Sequence, residues 1–417
     1  MTLHRRNFLK LSLFTLLSSY SGKSILEGEE KERKFRKPFT GKIIPITDEE
    51  RKRRISLAKE LMARNKIGCI LISPGSSLKY FTNINWGRSE RFFALLLPQR
   101  GEPAFICPSF EKKRLMEQLK EARDIRTWEE DENPHKLVHQ FLKERKIATS
   151  NFGIEETVRF FVVNGITKEA PALNIVSADP VTHWCRGIKS SLELNLMRIA
   201  NEITINAFRE ALKDLSPGMT ARKLRQKIPS IFSKWGFSGG AMVLFGENSA
   251  YPHGGRMKET VLKEGTIILI DGGTSVEGYR SDITRTIVFG NPTDKQKKVW
   301  EIVKKAQAAA LKAARPGVFA GEVDQAARKV IENAGFSPGY KYFTHRLGHG
   351  IGLDGHEWPY LVRGNPLKLS PGMTFSNEPG IYIYGEFGVR LEDIMYITED
   401  GAKLFTTQSF SLEHPFN

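Results

Sequence analysis

Few sequence features restrict a fold as tightly as two acids facing each other across an apolar hairpin. Residues 267–286, IILIDGGTSVEGYRSDITRT, place Asp271 and Asp282 in that relation. The Ile and Leu run before Asp271 reads as a buried strand. Gly272-Gly273 reads as its break, and the chain is expected to return past Gly278-Tyr279 into a second strand. Two carboxylates at the mouth of such a hairpin repel one another and lose hydration unless a cation or an acid lies between them.

A second stretch, residues 370–393, SPGMTFSNEPGIYIYGEFGVRLED, repeats the plan with glutamates. Gly265 precedes Asp271 by six residues, and Gly372 precedes Glu378 by six. Breaks follow at Gly272-Gly273 and at Pro379-Gly380. A further acid stands eleven residues on (Asp282) or fourteen on (Glu392). Ser-Pro-Gly-Met-Thr also occurs twice, at 216–220 and 370–374, so an internal duplication is predicted. Two such hairpins would bring four carboxylates to one centre, which bound metal would stabilise at neutral pH. A neutral ligand is expected from HRLGHGIGLDGHEWP, which holds His345, His349 and His356. Its glycines argue for an extended segment, not a helix, so one ligand (His349) and two substrate-facing imidazoles are expected.

The chain has 417 residues, 40% hydrophobic and 26% charged, enough for two domains with full cores. The first 22 residues stand apart. Arg5-Arg6, then Phe8-Leu9-Lys10 and a short apolar run to Leu17, are similar to a twin-arginine export signal. An exported protein, periplasmic or extracellular, is therefore expected, with the twin-arginine machinery as a transient partner and an uncleaved signal as the alternative anchor. Without residues 1–22, which carry Arg5, Arg6, Lys10 and no acid, the formal charge falls from +16 to +13. The basic residues are dispersed and not interleaved with aromatics, which argues against a nucleic-acid partner. Cys69, Cys107 and Cys185 all precede the acidic hairpins, and Cys69 and Cys107 read as small buried hydrophobes.

Residues 23–45 are dense in charge and read as a solvated linker. Thr47 to Glu50 spells a capping box for a helix to about residue 65. Strands are expected at 67–72, 92–98 and 104–107, alternating with helices near 110–121 and 134–145. A second capping box, Ser190 to Glu193, opens a long helix to about 215, followed by helices at 220–235, 294–314 and 320–334. The fold class is α/β (α+β), with domains at 46–186 and 187–417.

The set formed by Tyr251-Pro252-His253, the Asp271 and Asp282 hairpin, GHGIGLDGHEWP, NEPGIY and VRLED resembles the pita-bread metallopeptidases, in their Xaa-Pro aminopeptidase (aminopeptidase P) and prolidase branch. Residues 47–185 look like that branch's creatinase-type N-terminal domain. The resemblance implies a pseudo-two-fold catalytic domain and two divalent metals held at Asp271, Asp282, His349, Glu378 and Glu392. It implies that His253 and His356 contact the substrate carbonyl, that His345 stands near the residue after the scissile bond, and that Arg390 steadies the site. Glu378 is the expected proton shuttle. Four carboxylates and one imidazole form a hard donor set that favours Mn(II), with Co(II), Fe(II) or Zn(II) also able to enter. The expected activity is hydrolysis of the N-terminal Xaa-Pro bond of proline-containing peptides. The alternatives are an Xaa-Pro dipeptidase (prolidase) and a catalytically silent peptide-binding relative. A homodimer is expected by analogy alone. Taken singly, Asp-Gly-Gly is usually a turn and Glu-Pro-Gly a strand end, but five matching positions in one order argue for a site.

Overall fold

The computed structural model describes residues 38–119, 123–255 and 259–416. The export segment 1–22 and most of the linker lie outside them. Where the linker is described, at 38–45, most of its residues are exposed, as a solvated stretch would be, and its backbone is tied down at several points. Thr40 donates to Glu202, Arg198 donates to the Thr40 carbonyl, and Asn206 donates to the Pro38 carbonyl at 2.8 Å. Some backbone polar groups of this exposed stretch thus find partners on a helix flank.

The first half is built on six strands: β1 (Ile67–Ile72), β2 (Ala94–Pro98), β3 (Ala104–Pro108), β4 (Asp124–Trp128), β5 (Asn151–Ile154) and β6 (Ile175–Ser177). They lie in the order β4-β3-β2-β1-β5-β6, antiparallel at β1–β2 and β2–β3 and parallel elsewhere. Six helices accompany them: α1 (Asp48–Arg64), α2 (Ser76–Thr82), α3 (Lys112–Gln118), α4 (His135–Glu144), α5 (Phe160–Glu169) and α6 (Asp179–Gly187). The strand period of two sorts β1 between two cores. Cys69 and Leu71 enter one belonging to this half, whereas Ile70 and Ile72 enter one shared with the second half. Thr47 caps α1 through Glu50 N–H, but the predicted box is only half formed. The Glu50 carboxylate turns inward to Arg53 and Arg54 instead of back to Thr47. All three cysteines are buried and free, as small hydrophobes would be.

The second half contains two copies of one plan, helix, Pro-Gly turn, helix, hairpin. The first copy has α7 (Ser191–Leu212), α8 (Ala221–Lys234), β7 (Gly239–Phe245), β8 (Thr266–Val276), β9 (Tyr279–Arg280) and β10 (Ile283–Phe289). The second has α9 (Asp294–Ala313), α10 (Ala320–Asn333), β11 (Gly348–Gly350), β12 (Glu357–Leu361), β13 (Thr374–Asn377), β14 (Gly380–Ile383), β15 (Phe387–Arg390), β16 (Asp393–Ile397) and β17 (Ala402–Leu404). Full capping boxes open α7 at Ser190 and Glu193 and α9 at Thr293 and Gln296.

Local geometry repeats with the plan. Gly265 and Gly372 both have positive φ, and their N–H groups donate to Phe289 O and Ile397 O at 2.9 Å, the same closure in each copy. Gly218 and Gly317 form the other equivalent pair, donating to Leu262 O and Leu369 O at 2.9 Å. The duplicated Ser-Pro-Gly-Met-Thr therefore pairs positions that are not equivalent: Thr220 caps α8, whereas Thr374 opens β13.

The first acidic strand also differs from its expectation. β8 runs unbroken through Gly272 and Gly273, and the turn comes at Glu277-Gly278, both at positive φ. The glycines are there for room. A Cβ on Gly272 would lie 2.2 Å from Gly240 O, and one on Gly273 would lie 2.1 Å from Ser281 O. In the second copy Pro379 does interrupt the strand, so β13 pairs with β16 while β14 pairs with β15.

Candidate metal centre

The two hairpins meet along β10. Thr284 forms an isolated bridge with Glu392, whose N–H donates to Thr284 O at 3.1 Å, and Thr286 Oγ1 donates to Arg390 O at 2.8 Å. Below the seam, buried Arg285 donates to Glu392 O (2.8 Å) and to Asp393 Oδ1 (2.7 Å). Pairing thus carries the acids of one hairpin to those of the other.

Asp271, Asp282 and Glu392 converge with donor atoms within 4.8 Å of one another, and so do His349, Glu378 and Glu392. Glu392 belongs to both groups. His349 and Glu392 are each only 2% exposed. Burial, then the charges of Asp271 and Glu378, hold the Asp282 carboxyl well above its usual range. Burial, then Asp282 and Glu378, do the same to Glu392. Glu378 is pushed up to about 7 by burial, with Arg390 pulling the other way and Asp271 adding to the rise.

The donor set fits divalent cations on a directional observation. His349 Nδ1 lies 3.0 Å from Gly350 O and must donate to it, which leaves a lone pair on Nε2. That lone pair stands 3.3 Å from Glu378 Oε1 and 4.0 Å from Asp282 Oδ2. Burial, then His356, lower the His349 pKa to about 3, so a proton does not relieve the contact near neutral pH. A cation among these atoms would.

The remaining predicted residues take varied places. Arg390, 2% exposed, donates to Asp271 Oδ2 at 2.5 Å, Tyr382 Oη at 2.9 Å and Thr284 Oγ1 at 3.1 Å. It steadies Asp271, on the opposite hairpin. His356 stacks on His349 with centroids 3.7 Å apart and its ring is exposed, so the two imidazoles lie together instead of being spread around the site. His253 is exposed, on the loop whose Pro252 carbonyl accepts from Arg390 at 3.0 Å. His345 Nδ1 donates to Arg346 O and its Nε2 accepts from Tyr382 Oη, both at 2.8 Å, and Tyr382 Oη in turn accepts from Arg390 at 2.9 Å.

Sequence reasoning missed the hydroxyl groups that hold the acids. Thr284 Oγ1 donates to Glu392 Oε2 at 2.6 Å, and Ser376 Oγ to Glu378 Oε1 at 3.0 Å. Thr and Ser in strands carry no signal of such a role, although Thr284 does lie in the TRT that comes just after Asp282. Beside His356 is a cavity of about 270 Å3, lined by Ser77, Arg88, Arg186 and Trp358 among others. A larger one of about 430 Å3, between α1 and the first sheet, contains none of the site residues.

Comparisons agree with this geometry. The profile of metallopeptidase family M24 matches residues 195–399, and that of the creatinase/prolidase N-terminal domain matches residues 54–188. The chain is 36% identical over 355 residues to a probable dipeptidase PepE of Mycobacterium tuberculosis, covering 84% of this chain and 92% of the relative. It is 35% identical over 348 residues to an Xaa-Pro dipeptidase of Lactobacillus helveticus, covering 80% and 91%. Among solved structures, dipeptidase PepE from Mycobacterium ulcerans superposes with a TM-score of 0.81 at 32% identity, covering 87% of this chain and 97% of that one. Fold, acidic centre and relatives together place the chain in metallopeptidase family M24, with a creatinase/prolidase N-terminal domain ahead of a pita-bread domain, and make it a hydrolase.

Proposed function

We propose that the protein is a dinuclear, Mn(II)-dependent exopeptidase that hydrolyses the Xaa-Pro bond of dipeptides. The convergence of Asp271, Asp282, His349, Glu378 and Glu392 on one shared carboxylate carries the metal reading. The names of the relatives favour a dipeptidase over the aminopeptidase that the motifs alone put first. Asp271, Asp282 and Glu392 would hold one ion, and His349, Glu378 and Glu392 the other. When bound, the ions supply Lewis acidity and a water acidic enough to be a nucleophile at neutral pH.

The chain's own groups supply the rest. Glu378 is poised to take a proton from the attacking water and return it to the leaving proline nitrogen. His356 and His253, both exposed, are free to donate to the carbonyl oxygen as charge develops there, a contribution of roughly 2.7–4 kcal/mol per donor. Arg390 holds Asp271, and Thr284 holds Glu392, in fixed orientations.

The test is product analysis by mass spectrometry with Mn(II) and two substrates, an Xaa-Pro dipeptide and an Xaa-Pro-Yaa-Zaa tetrapeptide. Cleavage of the dipeptide alone is expected. Release of the first residue from the tetrapeptide would make the enzyme an aminopeptidase, and failure on both with Mn, Co, Fe and Zn would remove the proline assignment. Export is a separate proposal resting on Arg5-Arg6 and the apolar run behind them. Cell fractionation with Arg5→Lys/Arg6→Lys as control tests it, and unchanged distribution would refute it.

A further inference from the structure

The loop that carries His356 is anchored away from the acidic hairpins. Its two flanking acids point into the first half. Asp354 accepts from Ser76 Oγ of α2 at 2.5 Å and from Arg186 Nη2 of α6 at 2.6 Å. Glu357, 8% exposed, accepts from the same Arg186 nitrogen at 2.5 Å and from Lys189 Nζ at 2.7 Å. One guanidinium thus bridges residues on either side of His356. Its other arm donates to Ser77 Oγ at 3.1 Å, which in turn donates to Glu155 Oε1 at 2.6 Å. Trp358 extends the dock, with its ring parallel to His183 (centroids 5.5 Å apart, 9° between planes) and against Trp184, both of α6.

We propose that Arg186 is a positioning residue for His356, so that the creatinase-type half fixes where that imidazole stands over the metal centre. Among the described residues the ring of His356 meets the site's side through the face of His349, Arg346 Nη2 at 3.5 Å from Nδ1, and an Asp282 oxygen within 4.8 Å of a ring nitrogen. Its backbone therefore has to be held from behind. The hold is strong because it is charge-assisted and buried. Despite burial, which opposes ionisation, Lys189 and Arg186 keep Glu357 below its usual range, while Arg186 itself is raised by Glu357 and Asp354. A bridge made only for stability would not need to grip both sides of a single exposed histidine.

The inference rests on the peptidase reading for its kinetic consequence, but not for its structural one. The experiment uses the full-length metal-free protein with histidine labelled at 13Cε1, which gives nine ring signals, that of His356 being identified by its loss in His356→Asn. Arg186→Ala should shift and broaden the His356 signal and leave that of His345 in place. In the Mn(II)-loaded enzyme, kcat should fall roughly 10- to 100-fold with metal content unchanged. Arg186→Lys, able to pair with one acid at a time, should fall between the two. Ser76→Ala, which removes one hydrogen bond and is safe for folding, should move the same signal in the same direction by less. A His356 signal at its wild-type position in Arg186→Ala, or in Ser76→Ala if the first variant does not fold, overturns the proposal. A displaced signal in a protein whose wild type cleaves no Xaa-Pro peptide upholds the positioning and removes the peptidase reading instead.

Discussion

Thr284 lies where the hairpins cross, giving its hydroxyl proton to Glu392 and taking one hydrogen bond from Arg390. Thr284→Val keeps the shape and removes both, leaving a buried carboxylate short of a donor. Stability should fall by about 1–3 kcal/mol, and Mn(II) affinity by roughly 10- to 100-fold, read by thermal unfolding and calorimetric titration. The titrating groups make a second prediction for the metal-free protein. Asp282, Glu378 and Glu392 bind protons more readily folded than unfolded, so they weaken the fold as pH rises through their raised range, which for Glu378 extends to about 7. His345 and His349, both lowered to about 3, and His135 and His356, also lowered, act oppositely, and their gain ends only about one pH unit above the unfolded imidazole pKa of 6.5. Above about pH 7.5, where the unfolded imidazoles are almost fully deprotonated, the carboxylates set the slope up to about pH 8. The chelated protein should therefore lose melting temperature across that window and regain it on addition of Mn(II). A rise instead would count against the buried acidic cluster. The acids and His349 were legible as residues because each sits in its own motif. Their hydroxyl and tyrosine supports, Thr284, Ser376 and Tyr382, were not, since such residues are ordinary in strands.

At the level of elements, the helices and the first-half strands are legible in capping residues and apolar periodicity. The acidic strand is not, at Gly272-Gly273. A glycine pair is a turn signal in a local window, whereas here two neighbouring backbones press on the strand, a long-range cause invisible in the window. Gly272→Ala should therefore force β8 and β7 apart beside Asp271, with about 1–3 kcal/mol of destabilisation and a loss of metal affinity. Gly240→Ala, on the facing strand, meets nothing nearer than Pro229 Cγ at 3.9 Å and should change stability by less than about 0.5 kcal/mol. Equal effects in chemical denaturation would refute the close-approach account. The repeat of Ser-Pro-Gly-Met-Thr misleads for a related reason. Five residues can make the same turn ahead of a helix or a strand, and the packing of the residues beyond the turn decides between the two.

Across the whole molecule, one apolar core runs from α1 and β1 into α7, β8 and β16, so the halves are joined by more than a linker. A buried polar knot adds to it. Arg54 donates to Tyr279 Oη at 3.0 Å and pairs with Glu193 at 3.2 Å, and the tyrosine donates to the same glutamate at 2.7 Å. Arg54→Ala strands Glu193 without its cation, and a loss of about 3–5 kcal/mol is expected in denaturant unfolding. A change below about 1 kcal/mol would mean that the knot is not a joint between the halves. The equivalent Pro-Gly turns and closures carry a consequence of another kind. Asp271 and Asp282 come from one copy of the plan and His349, Glu378 and Glu392 from the other, so neither copy holds a complete set of donors. A chain with a single copy could have built such a centre only by meeting its own twin face to face. The present protein carries that meeting in one polypeptide, and having both partners in one gene let them diverge: carboxylates alone on one side, an imidazole with its two glutamates on the other.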